Sequence, residues 1–181
     1  MKTVIVSGAD GFIGSALVKE LLDKKIKVIA IDISSHPFRL DLKNDFLTYF
    51  NVDIKNINSL ENVISEREPE VFYHFAWIGS SGKLREDINV QVDNALSTVK
   101  IMEFAKNVGC SKFVFAGTIM EYEVFSAVYS QDTQPQMSYI YGVGKSLAHC
   151  LCKPVANSIG IDLVWAHITN AYGVGEFSPR L

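Results

Sequence analysis

The stretch VSGADGFIG, residues 6–14, constrains this chain more than any other. It follows the apolar run Val4, Ile5, Val6 and places Gly8, Gly11 and Gly14 at a fixed three-residue step. Beyond it, Phe12, Ile13, Leu17, Leu21 and Leu22 repeat with helical spacing. Glycine is unfavourable inside either a strand or a helix. Three of them between a strand and a helix therefore imply that something comes very close to the backbone. A strand, a glycine turn and a helix open a dinucleotide-binding unit. There the first glycine lets the chain turn, the second lets a pyrophosphate touch backbone, and the third lets the helix pack closely. The N–H groups and dipole at the helix start attract the phosphates.

The rest of the chain alternates in the same way. KVIAID (27–32) reads as a second strand ending at Asp32, and FLTYFNVDI (46–54) as a third. INSLENVISERE (57–68) reads as a helix capped by Asn58 or Ser59 and broken before Pro69. EVFYHFAW (70–77) is a fourth strand. VDNALSTVKIMEFAKNVG (92–109) is a long helix closed by Gly109. KFVFAG (112–117) is a fifth strand. YGVGKSLAHCLCKPVANSIG (141–160) is a helix disturbed near Pro154 and ended by Gly160, and IDLVWAHI (161–168) is a sixth strand. Near-continuous apolar strands alternating with helices predict an α/β fold with a parallel sheet covered on both faces. Right-handed crossovers and the glycine turn favour a doubly wound sheet, the Rossmann arrangement, over a barrel. No repeat, low-complexity segment or linker interrupts the pattern, so residues 1–181 read as one dinucleotide-binding domain.

Charge narrows the partners. With 17 basic and 20 acidic residues the net charge is −3, which gives no footprint for nucleic acid. The run KELLDKKIK sits at a helix end, where cations suit the dipole. No apolar run approaches the roughly 20 residues of a membrane span, and the apolar start is too short for the core of a secretory leader. Cys110, Cys150 and Cys152 contain no C-x-x-C pair and read as buried free thiols, with no disulfide and no metal. The expectation is a soluble cytoplasmic protein.

Asp32 lies 18 residues beyond Gly14, at the end of strand two. A carboxylate there accepts hydrogen bonds from the adenosine ribose hydroxyls and repels a 2′-phosphate, so NAD is expected over NADP. YGVGK supplies Tyr141 and Lys145, at i and i+4 of a helix start and so on one face. Oxidising a carbinol needs a base for the hydroxyl proton. Tyrosine, at about 10, is a poor one. Lowering it by about three units takes roughly 4 kcal/mol, which a cation about 4 Å away supplies at an effective dielectric near 20. Lys145 is the expected cation. Thr118, directly after strand five, is the expected hydrogen-bond donor to the substrate oxygen.

These motifs, in this order, resemble the extended short-chain dehydrogenase/reductase family, the nucleotide-sugar epimerases and dehydratases. GADGFIG carries the resemblance first, with Gly-x-x-Gly-x-x-Gly around Phe12 and Ile13. VDI (Asp53, Ile54) matches the family's adenine contact, and HFAW (Phe75, Ala76, Trp77) its cofactor-side loop. Asn94 matches the Asn of the central helix, and NAYG, beginning at Asn170, its Asn-Val-Tyr-Gly. The resemblance implies that Gly8, Gly11, Phe12, Ile13, Gly14, Asp32, Asp53, Ile54, Phe75, Ala76, Trp77, Asn94, Tyr141 and Lys145 bind NAD. It implies that Thr118, Tyr141 and Lys145 are catalytic, and that Thr118, Tyr141 and Asn170 touch a nucleotide-diphosphate sugar.

It also implies a homodimer through the helices near 93–108 and 141–158. Their apolar residues Leu96, Val99, Met102, Leu147 and Leu151 exceed what one sheet face requires. Two departures stand out. The 4,6-dehydratases carry an Asp-Glu pair after the catalytic Thr, where this chain has Ile119 and Met120, which disfavours water elimination; Glu121, one step on, reads as structural. What remains is an epimerase, favoured by Asp32, with a 4-ketosugar reductase or a cofactor-binding module without turnover as alternatives. Second, the family's substrate domain follows strand six, whereas this chain ends at EFSPRL. The expectation is therefore a cofactor domain whose substrate domain is absent or truncated, with Trp77 and the loop IGSSGK forming part of the sugar wall.

Overall fold

The structure, a computed structural model, describes residues 2–129 and 140–176. Among the described residues six strands form one sheet: β1 (Thr3–Ser7), β2 (Lys27–Asp32), β3 (Leu47–Asn51), β4 (Pro69–His74), β5 (Lys112–Thr118) and β6 (Asp162–Ile168). The helices between them are α1 (Phe12–Asp23), α2 (Glu61–Ser65), α3 (Ile88–Asn107), α4 (Met120–Val128) and α5 (Ile140–Ile159). The strands run parallel in the order β3-β2-β1-β4-β5-β6. This is the doubly wound α/β sheet expected from the sequence. Strand order reverses between β1 and β4, and in such sheets the crevice for a ligand opens at that point, beyond the carboxyl ends of the strands.

Alternation along β1 explains why both faces are covered. Ile5 enters a cluster with Ile29, Phe72, Phe104, Phe113 and Phe115, to which α3 and α5 contribute. Val4 and Val6 enter the opposite cluster with Val18 and Leu21 of α1 and with Val28 and Ala30. Successive side chains point to opposite faces, so one continuous apolar run serves two cores.

Several boundaries differ from expectation. The third strand stops at Asn51. Asp53 then caps a 3-10 segment, Ile54–Leu60, by accepting from the Lys55 N–H at 2.9 Å. The expected helix over 57–68 is instead the end of this segment followed by the short α2, the two meeting at Leu60, whose angles (φ −100, ψ 1) are not helical. Ser59 donates to the Asn56 carbonyl and is not an N-cap. The fourth strand ends at His74, leaving Phe75–Trp77 in a loop. α3 starts earlier than expected, capped by Asp87, whose carboxylate accepts from the N–H groups of Asn89 and Val90. Gly109, at φ +97, closes it as expected.

α5 runs unbroken through Pro154. That residue is exposed, while Ala148, Cys152 and Ala156 bury the opposite side, so tertiary packing holds the helix despite the lost N–H. α4 was not expected at all. Cys110 and Cys152 are buried free thiols, but Cys150 is exposed on α5. Of the apolar residues assigned to a dimer face, Met102 is buried, Val99, Leu147 and Leu151 are half-buried, and Leu96 is 50% exposed. No helix among the described residues is long and apolar enough to cross a membrane.

Candidate active site

A cavity of about 960 Å³ opens at the reversal point of the sheet. The β1–α1 turn forms its floor. Gly8 has φ +66, and a Cβ there would lie 2.6 Å from the Ala76 backbone nitrogen. A Cβ on Gly14 would lie 2.1 Å from the Gly8 carbonyl oxygen, so the helix packs on its own preceding turn as well as on the sheet. Gly11 faces the cavity as the N-cap of α1; no side chain caps this helix and no acid stands in its first turn. The positive end of α1 therefore points at the cavity with no side chain of its own first turn to compensate it.

Asp32 lines the same cavity, its carboxylate accepting from the N–H of Asp10 at 2.9 Å and of Ser34 at 3.1 Å. Asp10 is itself buried and accepts from the N–H of Phe38 and Arg39. The Arg39 guanidinium donates to the carbonyls of Asp10 and Gly175, tying the loop after β2 to the segment after β6. Asp53 and Ile54 line the cavity beside Asp32, Arg39 and Val52.

The loop after β4 is strapped to α3 by two amides. The Trp77 indole N–H donates to Gln91 Oε1 at 2.8 Å, and the fully buried Gln91 amide nitrogen donates to the carbonyls of Leu84 and Gly79. Asn94 accepts from the Ile78 N–H and donates to the Ile78 carbonyl. Phe75, Ala76, Trp77, Ile78, Ser80, Ser81 and Asn94 all face the cavity, so the IGSSGK loop supplies part of its wall. Behind it, His74 is buried with Ser7 Oγ at 2.7 Å from Nδ1, and burial drives the imidazole down to about 3.

Thr118, Tyr141 and Lys145 line the same cavity. Thr118 is the last residue of β5 and nearly buried. Tyr141 stands in the first turn of α5, its ring edge-on to Trp77 at 6.2 Å between centroids. The buried Lys145 Nζ donates to the Ala116 carbonyl at 2.8 Å and lies 3.9 Å from the Trp77 ring centre and 4.4 Å from that of Phe115. It is 5.8 Å from the Tyr141 ring centre. Burial pulls its pKa down to about 7, and Glu121 partly opposes this.

The cation nearest the Tyr141 ring in this group is one that sequence reasoning missed. The Arg85 guanidinium lies 4.1 Å from its centroid, anchored on the Ser80 carbonyl at 2.6 Å and on Met120 Sδ at 2.7 Å. Nothing in the sequence around Arg85 signals this, since the contact is made through the fold. Asn170 lines the cavity with Thr169 and Ala171.

Glu121 does not line the cavity. It is fully buried behind Thr118, accepting the Thr118 N–H at 2.7 Å and the Trp165 indole N–H. His149 Nδ1 and His167 Nε2 stand 3.1 and 3.5 Å from its Oε2. Gly117 makes room for the carboxylate: a Cβ there would meet Trp165 Nε1 at 2.5 Å and Glu121 Oε1 at 2.7 Å. Burial lowers the pKa of His149, against the pull of Glu121.

The family described as NAD dependent epimerase/dehydratase matches residues 4–181. Among curated proteins, the chain is 31% identical over 179 residues to an uncharacterized UDP-glucose epimerase, YtcB, of Bacillus subtilis (strain 168), covering 94% of this chain and 57% of that protein. It is 23% identical over 181 residues to dTDP-4-dehydro-6-deoxyglucose reductase of Escherichia coli, covering 96% and 57%. Among solved structures, it is similar to UDP-N-acetylglucosamine 4-epimerase from Methanobrevibacter ruminantium M1 in complex with UDP-N-acetylmuramic acid. That match has a TM-score of 0.79 at 25% identity, covering 99% of this chain and 59% of the other. It is also similar to UDP-glucuronic acid 4-epimerase from Bacillus cereus in complex with NAD (TM-score 0.74, 27% identity, 94% and 58% covered). The chain thus spans 57% of the length of each of these two curated relatives.

Proposed function

The chain belongs to the NAD dependent epimerase/dehydratase family, and from that premise we propose that it forms the cofactor-binding and catalytic part of an NAD-dependent enzyme that epimerises a nucleotide-diphosphate sugar. One observation carries this reading: a single cavity is lined by the glycine turn, Asp32 and the group Thr118, Tyr141 and Lys145.

The residues fit NAD. At Gly11 the cavity floor is bare backbone at the uncapped start of α1, which suits a diphosphate. Gly8, Phe12, Ile13 and Gly14 complete that floor. Asp32 keeps acceptor capacity for the ribose hydroxyls beyond the two N–H groups it accepts. Asp53 and Ile54 take the adenine side, and Phe75, Ala76, Trp77, Asn94 and Lys145 the opposite end. When bound, the dinucleotide takes up and returns a hydride.

The chain's own residues handle the proton. Tyr141 takes it from the sugar hydroxyl and gives it back to the same oxygen, while Thr118 Oγ1 donates a hydrogen bond to that oxygen. Arg85 supplies positive charge at the face of the ring, the protonated form of Lys145 adds to it from 5.8 Å, and Asn170 holds the sugar. Water elimination has no carboxylate in place: Ile119 and Met120 line the cavity where a dehydratase needs an acid and a base, and Glu121 is turned away from it. A 4-ketosugar reductase, the activity named for the E. coli relative, is the second reading.

The protein is proposed to pair through α3 and α5, because Ile88, Val92 and Leu96 form an exposed apolar stripe at i, i+4 and i+8, with Val143 exposed on α5. Three free cysteines suit the reducing cytoplasm.

The test is proton NMR of purified protein incubated with NAD and UDP-glucose, UDP-glucuronic acid or UDP-N-acetylglucosamine. The expected result is a C4 epimer with at least one sugar, with the rate falling about 10²–10⁴-fold in Tyr141→Phe. Conversion that survives this substitution contradicts the proposed mechanism. Leu96→Asp is expected to yield monomers by light scattering; an unaltered protein that is already monomeric contradicts the pairing.

A further inference from the structure

We propose that Glu121, His149 and His167 form a binding site for one divalent transition-metal ion, zinc(II) by the chemistry of its donors, next to the cavity but outside its lining. The three residues come from α4, α5 and β6, and each presents one ligand atom, all within 4.8 Å of one another. Donors about 2.0–2.2 Å from a tetrahedral zinc stand roughly 3.3–3.6 Å apart. Glu121 Oε2 is 3.1 Å from His149 Nδ1 and 3.5 Å from His167 Nε2, close to that spacing.

The surroundings orient the donors. The Thr118 N–H holds Oε1 and the Trp165 indole N–H bridges both oxygens, leaving Oε2 facing the two imidazoles. The His149 ring lies parallel on Trp165, 4.3 Å between centroids at 5°, and His167 sits against Tyr122 at 4.9 Å. Ligand rings fixed by neighbouring groups are a regular feature of metal sites.

Charge points the same way. Among the described residues no lysine or arginine lies within ion-pair distance of the fully buried Glu121, and Lys145 acts on it only from further off. A divalent ion compensates a buried carboxylate, and each imidazole binds through a neutral nitrogen, its ring proton residing on the other nitrogen. The partial exposure of both histidines leaves a path for the ion and for a water in the fourth position. An ion there would clamp the corner that carries Thr118 through the other carboxylate oxygen. The site is independent of the nucleotide-sugar reading.

Zinc(II) chloride titrated calorimetrically into chelator-treated protein tests it. One equivalent is expected to bind. His149→Phe and His167→Phe, which keep the ring contacts, are expected to weaken binding at least about tenfold, and Cys150→Ser to leave it unchanged. Because these variants could fold poorly, cobalt(II) added to the unaltered protein gives a second reading: visible d–d bands without a thiolate charge-transfer band. Absence of saturable binding, binding that survives both histidine substitutions, or thiolate bands would overturn the proposal.

Discussion

Residues 3–32 meet the cavity largely with backbone, whereas Thr118, Ile119, Met120, Tyr141 and Lys145 meet it with side chains. In the first region the site is a turn between β1 and α1, where Gly8, Gly11 and Gly14 bring main chain within touching distance of main chain. In the second, Thr118 and Lys145 are buried polar groups with Glu121 behind Thr118, and Lys145 and Glu121 reach partners 29 and 28 residues along the chain. A backbone site tolerates almost no added atom but carries little charge. A side-chain site carries buried charge, which costs stability and makes its properties depend on pH.

The sharpest way to break this contrast is Gly14→Ala. Its Cβ would lie 2.1 Å from a carbonyl oxygen, where nothing flexible can move aside. The expected loss is about 3 kcal/mol or more in urea denaturation. Gly82→Ala meets open space, and its backbone (φ +69, ψ −162) is one that only glycine adopts readily, so the expected cost is about 1–3 kcal/mol of backbone strain without a clash. Equal costs would mean that the β1–α1 turn is not closed on itself.

Next comes Arg85→Ala, which removes a cation from the Tyr141 ring. A half-buried contact of this kind is worth about 0.5–2 kcal/mol, so turnover is expected to fall roughly 2–30-fold, with NAD affinity unchanged in calorimetry. A fall in NAD affinity alone would move Arg85 out of the catalytic group.

The smallest effect runs in the opposite direction. Lys145→Met should abolish turnover yet raise stability by about 1 kcal/mol. Burial lowers the Lys145 pKa from 10.5 to about 7, so at neutral pH the native state resists a proton that the unfolded chain holds. That cost is fully present below pH 7 and disappears as pH rises towards 10.5. The gain in melting temperature is therefore expected to be larger at pH 6 than at pH 9; a gain independent of pH would contradict the burial account.

The same contrast explains what the sequence made legible. The β1–α1 turn is local: its glycines, their step and the flanking strand and helix lie within a few residues, so their pattern carries the geometry. The sheet follows from apolar runs for the same reason. The capping roles were harder, since Asp53 and Asp87 compete with neighbouring polar residues that would serve equally well on paper. Tertiary partnerships left no local trace. Gln91 reaches back 14 residues to Trp77, and Glu121 reaches 28 residues to His149 and 44 to Trp165. Glu121 was read as structural from its offset alone, and the histidines that face it carried no signal.

Calorimetric titration of oxidised NAD and NADP into the folded protein tests the central claim most directly, that the bare turn and Asp32 hold a dinucleotide. The account predicts one NAD site per chain and much weaker binding of NADP, whose 2′-phosphate meets the Asp32 carboxylate. Absence of binding by either dinucleotide, with the protein folded by circular dichroism, would contradict it.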